Sequence, residues 1–200
     1  DQPRSRGLGD VYKRQAEEDA EMHTSSMQAV GLRLPWLFTN LVGSLVSGLI
    51  LWWFRFTIQE VVAIVAFLPV IAAMGGNLGL QSSTLIIRGL ATGRVELSDI
   101  WKVVFREMRI GLTLGLICGT LLLVAGWVWQ GNGSLGFVVG SALLITFLIS
   151  SSMATVTPLM LKKFKIDPAV AAGPFITTAM DITGVTIYLG LATMMLEYLR

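Results

Sequence analysis

The sequence predicts an all-helical membrane protein with five spans per protomer, and three observations carry that expectation. Only 14% of the 200 residues are charged against 54% hydrophobic, where a soluble domain carries about 25% charged residues. The mean hydropathy is +0.69. No charged residue occurs between Leu34 and Phe54, between Val61 and Ile87, or through the 52 residues from Ile110 to Leu161. Unbroken apolar runs of this kind fit helices, because the strands of a membrane barrel alternate polar and apolar residues.

Crossing about 30 Å of hydrocarbon at 1.5 Å per residue takes roughly 20 apolar residues in a helix. The segments that qualify are Leu34–Phe54, Val61–Ile87, Ile110–Trp129, Leu135–Leu161 and Pro174–Leu196. The third and fourth are parted only by Gln130, Gly131, Asn132, Gly133 and Ser134, a turn cluster. Basic residues sort onto one side of this arrangement. Arg4, Arg6, Lys13, Arg14 and Arg33 precede the first span; Arg94, Lys102, Arg106 and Arg109 join the second to the third; Lys162, Lys163 and Lys165 join the fourth to the fifth. The other side receives Arg55 and Arg200. The positive-inside rule then puts the N-terminus in the cytoplasm, the C-terminus outside and the chain in the cell membrane as a multi-pass protein. The six tryptophans, Trp36, Trp52, Trp53, Trp101, Trp127 and Trp129, fall near the expected interfaces.

Residues 1–15 show neither apolar periodicity nor a signal-peptide core and read as a scar of assembly. Residues 16–33, with the acidic run Glu17, Glu18, Asp19 and Glu21, read as a cytoplasmic segment, and 34–200 as the membrane domain. Charge mixed with Ile100, Trp101, Val103, Val104, Phe105 and Met108 between Glu96 and Arg109 fits either an amphipathic helix on the cytoplasmic face or a plain extension of the third span. Cys118 alone excludes an intrachain disulfide framework. His23 lies outside every span, so neither a histidine metal site nor Ser/His catalysis is indicated. The expected partners are membrane lipid and, from the site residues below, a divalent cation; nothing points to an enzyme or to nucleic acid.

Membrane cost singles out Asp181. An ionised Asp near the centre of a span costs about 2.5–3.5 kcal/mol on insertion scales, so it needs a reason to be there. Thr177 and Thr178 lie four and three residues before it, and Gly184 three after, which gives one polar, roomy helix face. A structural Asp bonded to neighbouring helices is the plainer alternative. In the second span Pro69 is followed by Gly75, Gly76, Asn77, Gly79 and Gln81, a pattern that predicts a broken or closely packed helix with Asn77 and Gln81 on one side. These can be pathway groups or interhelical glue. Gly111, Gly115 and Gly119 in the third span, with Gly136 and Gly140 in the fourth, predict close helix packing. Ser150, Ser151, Ser152, Thr155 and Thr157 can line a wet cavity or satisfy carbonyls freed by Pro158.

Hard divalent cations take oxygen ligands, and Mg²⁺ keeps several waters and uses one or two carboxylates. One Asp181 per chain poorly matches a 2+ ion, whereas a two-fold axis beside the fifth span would bring two together. Thr177, Asn77 and Gln81 could then hold the retained waters. Asp181, Thr177 and Asn77 are therefore the candidate ion-site residues, and Gly76, Gln81, Gly173, Thr178 and Gly184 the candidate pore lining.

Three stretches carry a family likeness: RLPWLFTNLVG from Arg33, PVIAAMGGNLGLQSSTLIIRGLATG from Pro69, and DPAVAAGPFITTAMDITGVTIYLGLA from Asp167. Together they resemble the membrane domain of the MgtE magnesium channel/transporter family over about residues 17–197. The resemblance implies a homodimer of five-helix protomers whose central cation pathway is lined by the second and fifth helices. It also implies that Asp181 is the main ion-site carboxylate, helped by oxygens near Thr177 and by Asn77. Gly173 stands where some relatives carry Asn. Typical members have a cytoplasmic helical domain and paired CBS modules before the first span, so at most 33 preceding residues suggest a membrane-domain fragment or a member without that sensor. The leading expectation is passive Mg²⁺ entry. Alternatives are a coupled carrier or exchanger, including one for Mn²⁺ or Co²⁺, and a non-transporting scaffold subunit.

Overall fold

A computed structural model describes residues 26–95 and 100–199. The reading of residues 1–15 as a scar and the acidic run at 17–21 lie outside the described residues. The elements are α1 (Ser26–Trp53), α2 (Arg55–Glu60), a 3₁₀ segment (Val62–Phe67), α3 (Leu68–Ala91), α4 (Ile100–Gln130), α5 (Gly133–Lys163), α6 (Pro168–Met194) and α7 (Leu196–Leu199). Among the described residues, five helical stretches are long and apolar enough to cross a membrane: α1, the 3₁₀ segment with α3, α4, α5 and α6. The chain divides after Phe38 into two units, the first holding the start of α1 and the second everything from Thr39 onward.

The connections follow from their end residues. α4 stops at Gly131, whose φ of +66° is a left-handed conformation suited to glycine. Asn132 then caps α5, its side-chain oxygen accepting from the backbone N–H of Ser134 at 2.9 Å and of Leu135 at 3.3 Å. α6 begins at Pro168 and not at Pro174, because Asp167 accepts from Ala169 N–H at 2.9 Å and Pro168 occupies a first-turn position that needs no donor. Pro174 is carried inside the helix. α4 is continuous from Ile100, so the plain extension of the third span holds and a separate surface helix does not. Lys102, Arg106 and Arg109 on this extension are exposed, whereas Glu107 is turned inward and 3% exposed.

α5 is the hub, packing against α4, α3 and α6, while α3 and α6 also pack on each other. The core gathers Ile64, Phe67, Ile71, Leu135, Val138, Val139, Leu143, Phe147, Tyr188 and Leu189. Tyr188 donates its hydroxyl to the Ile64 carbonyl at 2.9 Å, tying α6 to the 3₁₀ segment. Between α4 and α5, Gly111, Gly115 and Gly119 meet Ser151, Leu144 and Gly140 closely, as their spacing predicts.

Candidate ion pathway

The second span is closely packed and not broken: α3 runs without interruption through Gly75, Gly76 and Gly79. The glycines let α3 seat on α6 and α5. A Cβ on Gly75 would lie 2.7 Å from Thr146 Cγ2 and 3.7 Å from Met180 Cβ; one on Gly79 would lie 2.5 Å from Ile176 Cγ2 and 2.9 Å from Ser150 Oγ. Ser150 donates to the Gly75 carbonyl at 2.6 Å, an interhelical bond that binds α5 to the glycine-rich segment.

Gly76 brings the two sequence motifs together. Its Cβ position is 3.9 Å from Thr177 Cγ2, and that of Gly173 is 3.7 Å from Leu80 Cδ2. Gly184 lies against Thr146 and Ile71 at the other end of the same contact. α3 and α6 therefore run antiparallel. Asn77 falls near the level of Thr177, and Asp181 about one helical turn of rise, roughly 5 Å, further along.

Around this contact α3 exposes Ala73, Asn77, Gln81, Thr84 and Arg88, spaced four, four, three and four residues apart on one face. Asn77 and Gln81 thus share the outward side expected from their spacing. Thr177 and Asp181 on α6 are half-buried. The Thr177 hydroxyl donates back to the Gly173 and Pro174 carbonyls at 3.1 and 3.2 Å, leaving its oxygen able to accept. Thr178 points elsewhere. Its hydroxyl donates to Asn40 Oδ1 on α1 at 2.8 Å.

The described residues contain no group of three or more His, Cys, Asp or Glu side chains that could hold a metal ion. A single protomer therefore offers oxygen from amides, hydroxyls and one carboxylate along α3 and α6, a set suited to an ion that keeps its water.

The serine cluster of α5 divides. Ser150 reaches α3, whereas Ser151, Ser152 and Thr155 donate to carbonyls of their own helix at 2.8, 2.9 and 3.2 Å. Sequence reasoning gave no role to Asn40, though a lone Asn three residues before Gly43 in an apolar span was a signal. Glu107, buried near the start of α4, was likewise given no role.

Residues 68–191 match the MgtE family profile, described as a divalent cation transporter. The chain is similar to magnesium transporter MgtE of Bacillus subtilis, 40% identical over 194 residues that cover 92% of this chain and 43% of that protein. It is similar to magnesium transporter MgtE of Thermus thermophilus, 35% identical over 191 residues, 94% of this chain and 42% of the relative. The magnesium transporter MgtE of Enterococcus faecalis is 33% identical over 178 residues, 89% and 39% of the two chains. The chain thus spans about two-fifths of the length of the curated relatives it matches.

Proposed function

This chain belongs to the MgtE family of divalent cation transporters, and from that premise we propose that it passes partly hydrated Mg²⁺ across the cell membrane, with Asp181 as the main carboxylate on the path. The exposed stripe of α3 carries this reading. Asn77, Gln81, Thr84 and Arg88 face away from the protomer on a membrane-length helix, and polar side chains facing hydrocarbon are disfavoured. The stripe is better matched to a water-filled path, and its contact with α6 at Gly76 brings that path to Thr177 and the turn of Asp181.

One carboxylate cannot balance a 2+ charge. A second copy related by a two-fold axis beside α3 and α6 would enclose both polar stripes and bring two Asp181 carboxylates to one ion. Mg²⁺ sheds water reluctantly, so the carboxylates would meet the hydrated ion, with Asn77, Gln81 and Thr177 accepting from or donating to its waters. With the N-terminal side in the cytoplasm, an inside-negative potential favours entry of a 2+ ion by about 4.6 kcal/mol per 100 mV, so entry needs no coupled chemical step.

The test is Mg²⁺ entry into dye-loaded proteoliposomes with and without an imposed potential. Wild-type protein is expected to show potential-dependent entry that Asp181→Asn abolishes. Mg²⁺ is also expected to raise the unfolding temperature of the wild type and not of the variant. Wild-type entry through Asp181→Asn sinks the reading. No Mg²⁺ shift in either protein, an unfolding temperature lowered by Asp181→Asn, and no entry together favour the scaffold alternative.

A further inference from the structure

The fifth long helix, α6, contains five threonines, and four of them behave alike. Thr177, Thr183, Thr186 and Thr193 each donate to the carbonyl four residues earlier, at 3.1, 2.6, 2.7 and 2.7 Å. Thr178 is the exception, because its hydroxyl leaves the helix for Asn40 Oδ1. The acceptor lies on α1, most of whose described side chains are exposed. Gly43 is the one residue of α1 that is buried among those described. A Cβ there would collide with Thr178 Cγ2 and stand 3.2 Å from Thr178 Oγ1. Asn40 and Gly43, three apart on one face of α1, thus both meet Thr178, one by a hydrogen bond and the other by close contact.

This contact lies just after a weak turn. Pro174 has no N–H to return to Val170 and sits inside α6, so the helix lacks a backbone bond across residues 170–174, the turn that leads into Thr178. Asp181 lies less than one turn beyond. From this we infer that Asn40 is a positioning residue for the ion site: by holding Thr178 from the side, it fixes the rotation of the helix between the proline-weakened turn and Asp181. The inference rests on the reading of Asp181 as the ion-site carboxylate. Threonine has two χ1 settings open to it in a helix, one of which returns its hydroxyl to the helix's own carbonyl. Loss of Asn40 releases Thr178 into that second setting, and a methyl at Gly43 forces either that rotation or withdrawal of α1.

The test uses the full chain and Mg²⁺ itself, reading both the half-saturating Mg²⁺ concentration for thermal protection and that for dye-detected entry. Asn40→Leu and the near-isosteric Thr178→Val are each expected to raise both values by about fivefold or more, the lower end of ordinary coupling between sites. The double variant is expected to be no worse than either single one, because both remove the same bond. Thr178→Ser keeps the donor and is expected to restore the wild-type value. A purely structural bond would lower the unfolding temperature without Mg²⁺ and leave the Mg²⁺ dependence of the folded protein unchanged. That outcome, or additive effects of the two substitutions, overturns the inference. If Asn40→Leu fails to fold, Thr178→Val and Gly43→Ala carry the same measurement. Asp181→Asn run alongside separates the two claims: if it keeps wild-type Mg²⁺ dependence, the ion-site reading fails, and if it alone loses that dependence, only the role of Asn40 fails.

Discussion

Two glycine-lined interfaces meet on α5, and they differ in what the glycines touch. Against α4 the close neighbour is backbone everywhere but at Gly111, which meets the Ser151 side chain first: a Cβ on Gly140 would sit 2.6 Å from the Gly119 carbonyl oxygen, one on Gly119 2.8 Å from that of Gly140, and one on Gly126 3.0 Å from Gly136 Cα. Gly136 is closer still to the Leu123 carbonyl. Where α3 seats on α5 and α6, the neighbours are side-chain ends: Thr146 Cγ2, Ile176 Cγ2, Ser150 Oγ and Thr177 Cγ2. A side chain, even a β-branched one that is stiff about χ1, can give by changing rotamer, whereas a carbonyl moves only with its helix. The α4–α5 pair is thus the fixed frame, and the α3–α6 contact, beside the polar stripe, is the one able to adjust.

The largest effect expected from this contrast comes from putting a methyl into the frame. Gly140→Ala and Gly136→Ala should each cost about 1–3 kcal/mol, the usual range for overpacking, measured by reversible unfolding in detergent. Gly79→Ala, which meets Ile176 Cγ2 at 2.5 Å, should cost less than either. Equal losses at Gly79 and Gly140 would break the contrast. Next comes Ser150→Ala, which removes the bond to the Gly75 carbonyl and should cost about 1 kcal/mol. Tyr188→Phe should cost a little less, about 0.6 kcal/mol, the average for interhelical bonds in a membrane protein. The smallest stability effect belongs to Gly76→Ala, within about 0.5 kcal/mol, because nothing stands closer than Thr177 Cγ2 at 3.9 Å. The same variant sharpens the functional side, since its methyl narrows the junction of α3 and α6. Slower Mg²⁺ entry with unchanged unfolding is the expected result, and unchanged entry would move the path away from Gly76.

The five spans were legible because charge is nearly absent from them, Asp181 standing out for that reason, and charge is what hydrocarbon penalises. Their ends were less so. α4 starts at Ile100 and not near Ile110 because Lys102, Arg106 and Arg109 all turn outward while Glu107 turns in, a sorting that a list of charges does not reveal. α6 starts at Pro168 because Asp167 caps it, a local signal that the apolar-run criterion passes over. Asp181, Thr177 and Asn77 were readable as candidates from the cost of polar groups in a membrane, and the Gly76 contact brings the helices carrying them together. The partner of Thr178 was not readable. Its spacing from Asp181 suggests a shared face, but which hydroxyl stays on its own helix and which crosses to another depends on the neighbour, and Asn40 is 138 residues away in the chain.

The short turn at Gly131 and Asn132 also bears on the order in which the molecule is made. α4 and α5 are consecutive, joined by that turn, and meet backbone to backbone, so they can associate as a hairpin as soon as both have left the ribosome. α3 precedes them and can dock on the α5 face through Ser150. α6, with Asp181, emerges after all of these and enters a groove already shaped by its predecessors. A nascent chain interrupted before Pro168 would hold the α4–α5 frame and the polar stripe of α3, but not the helix that carries Asp181.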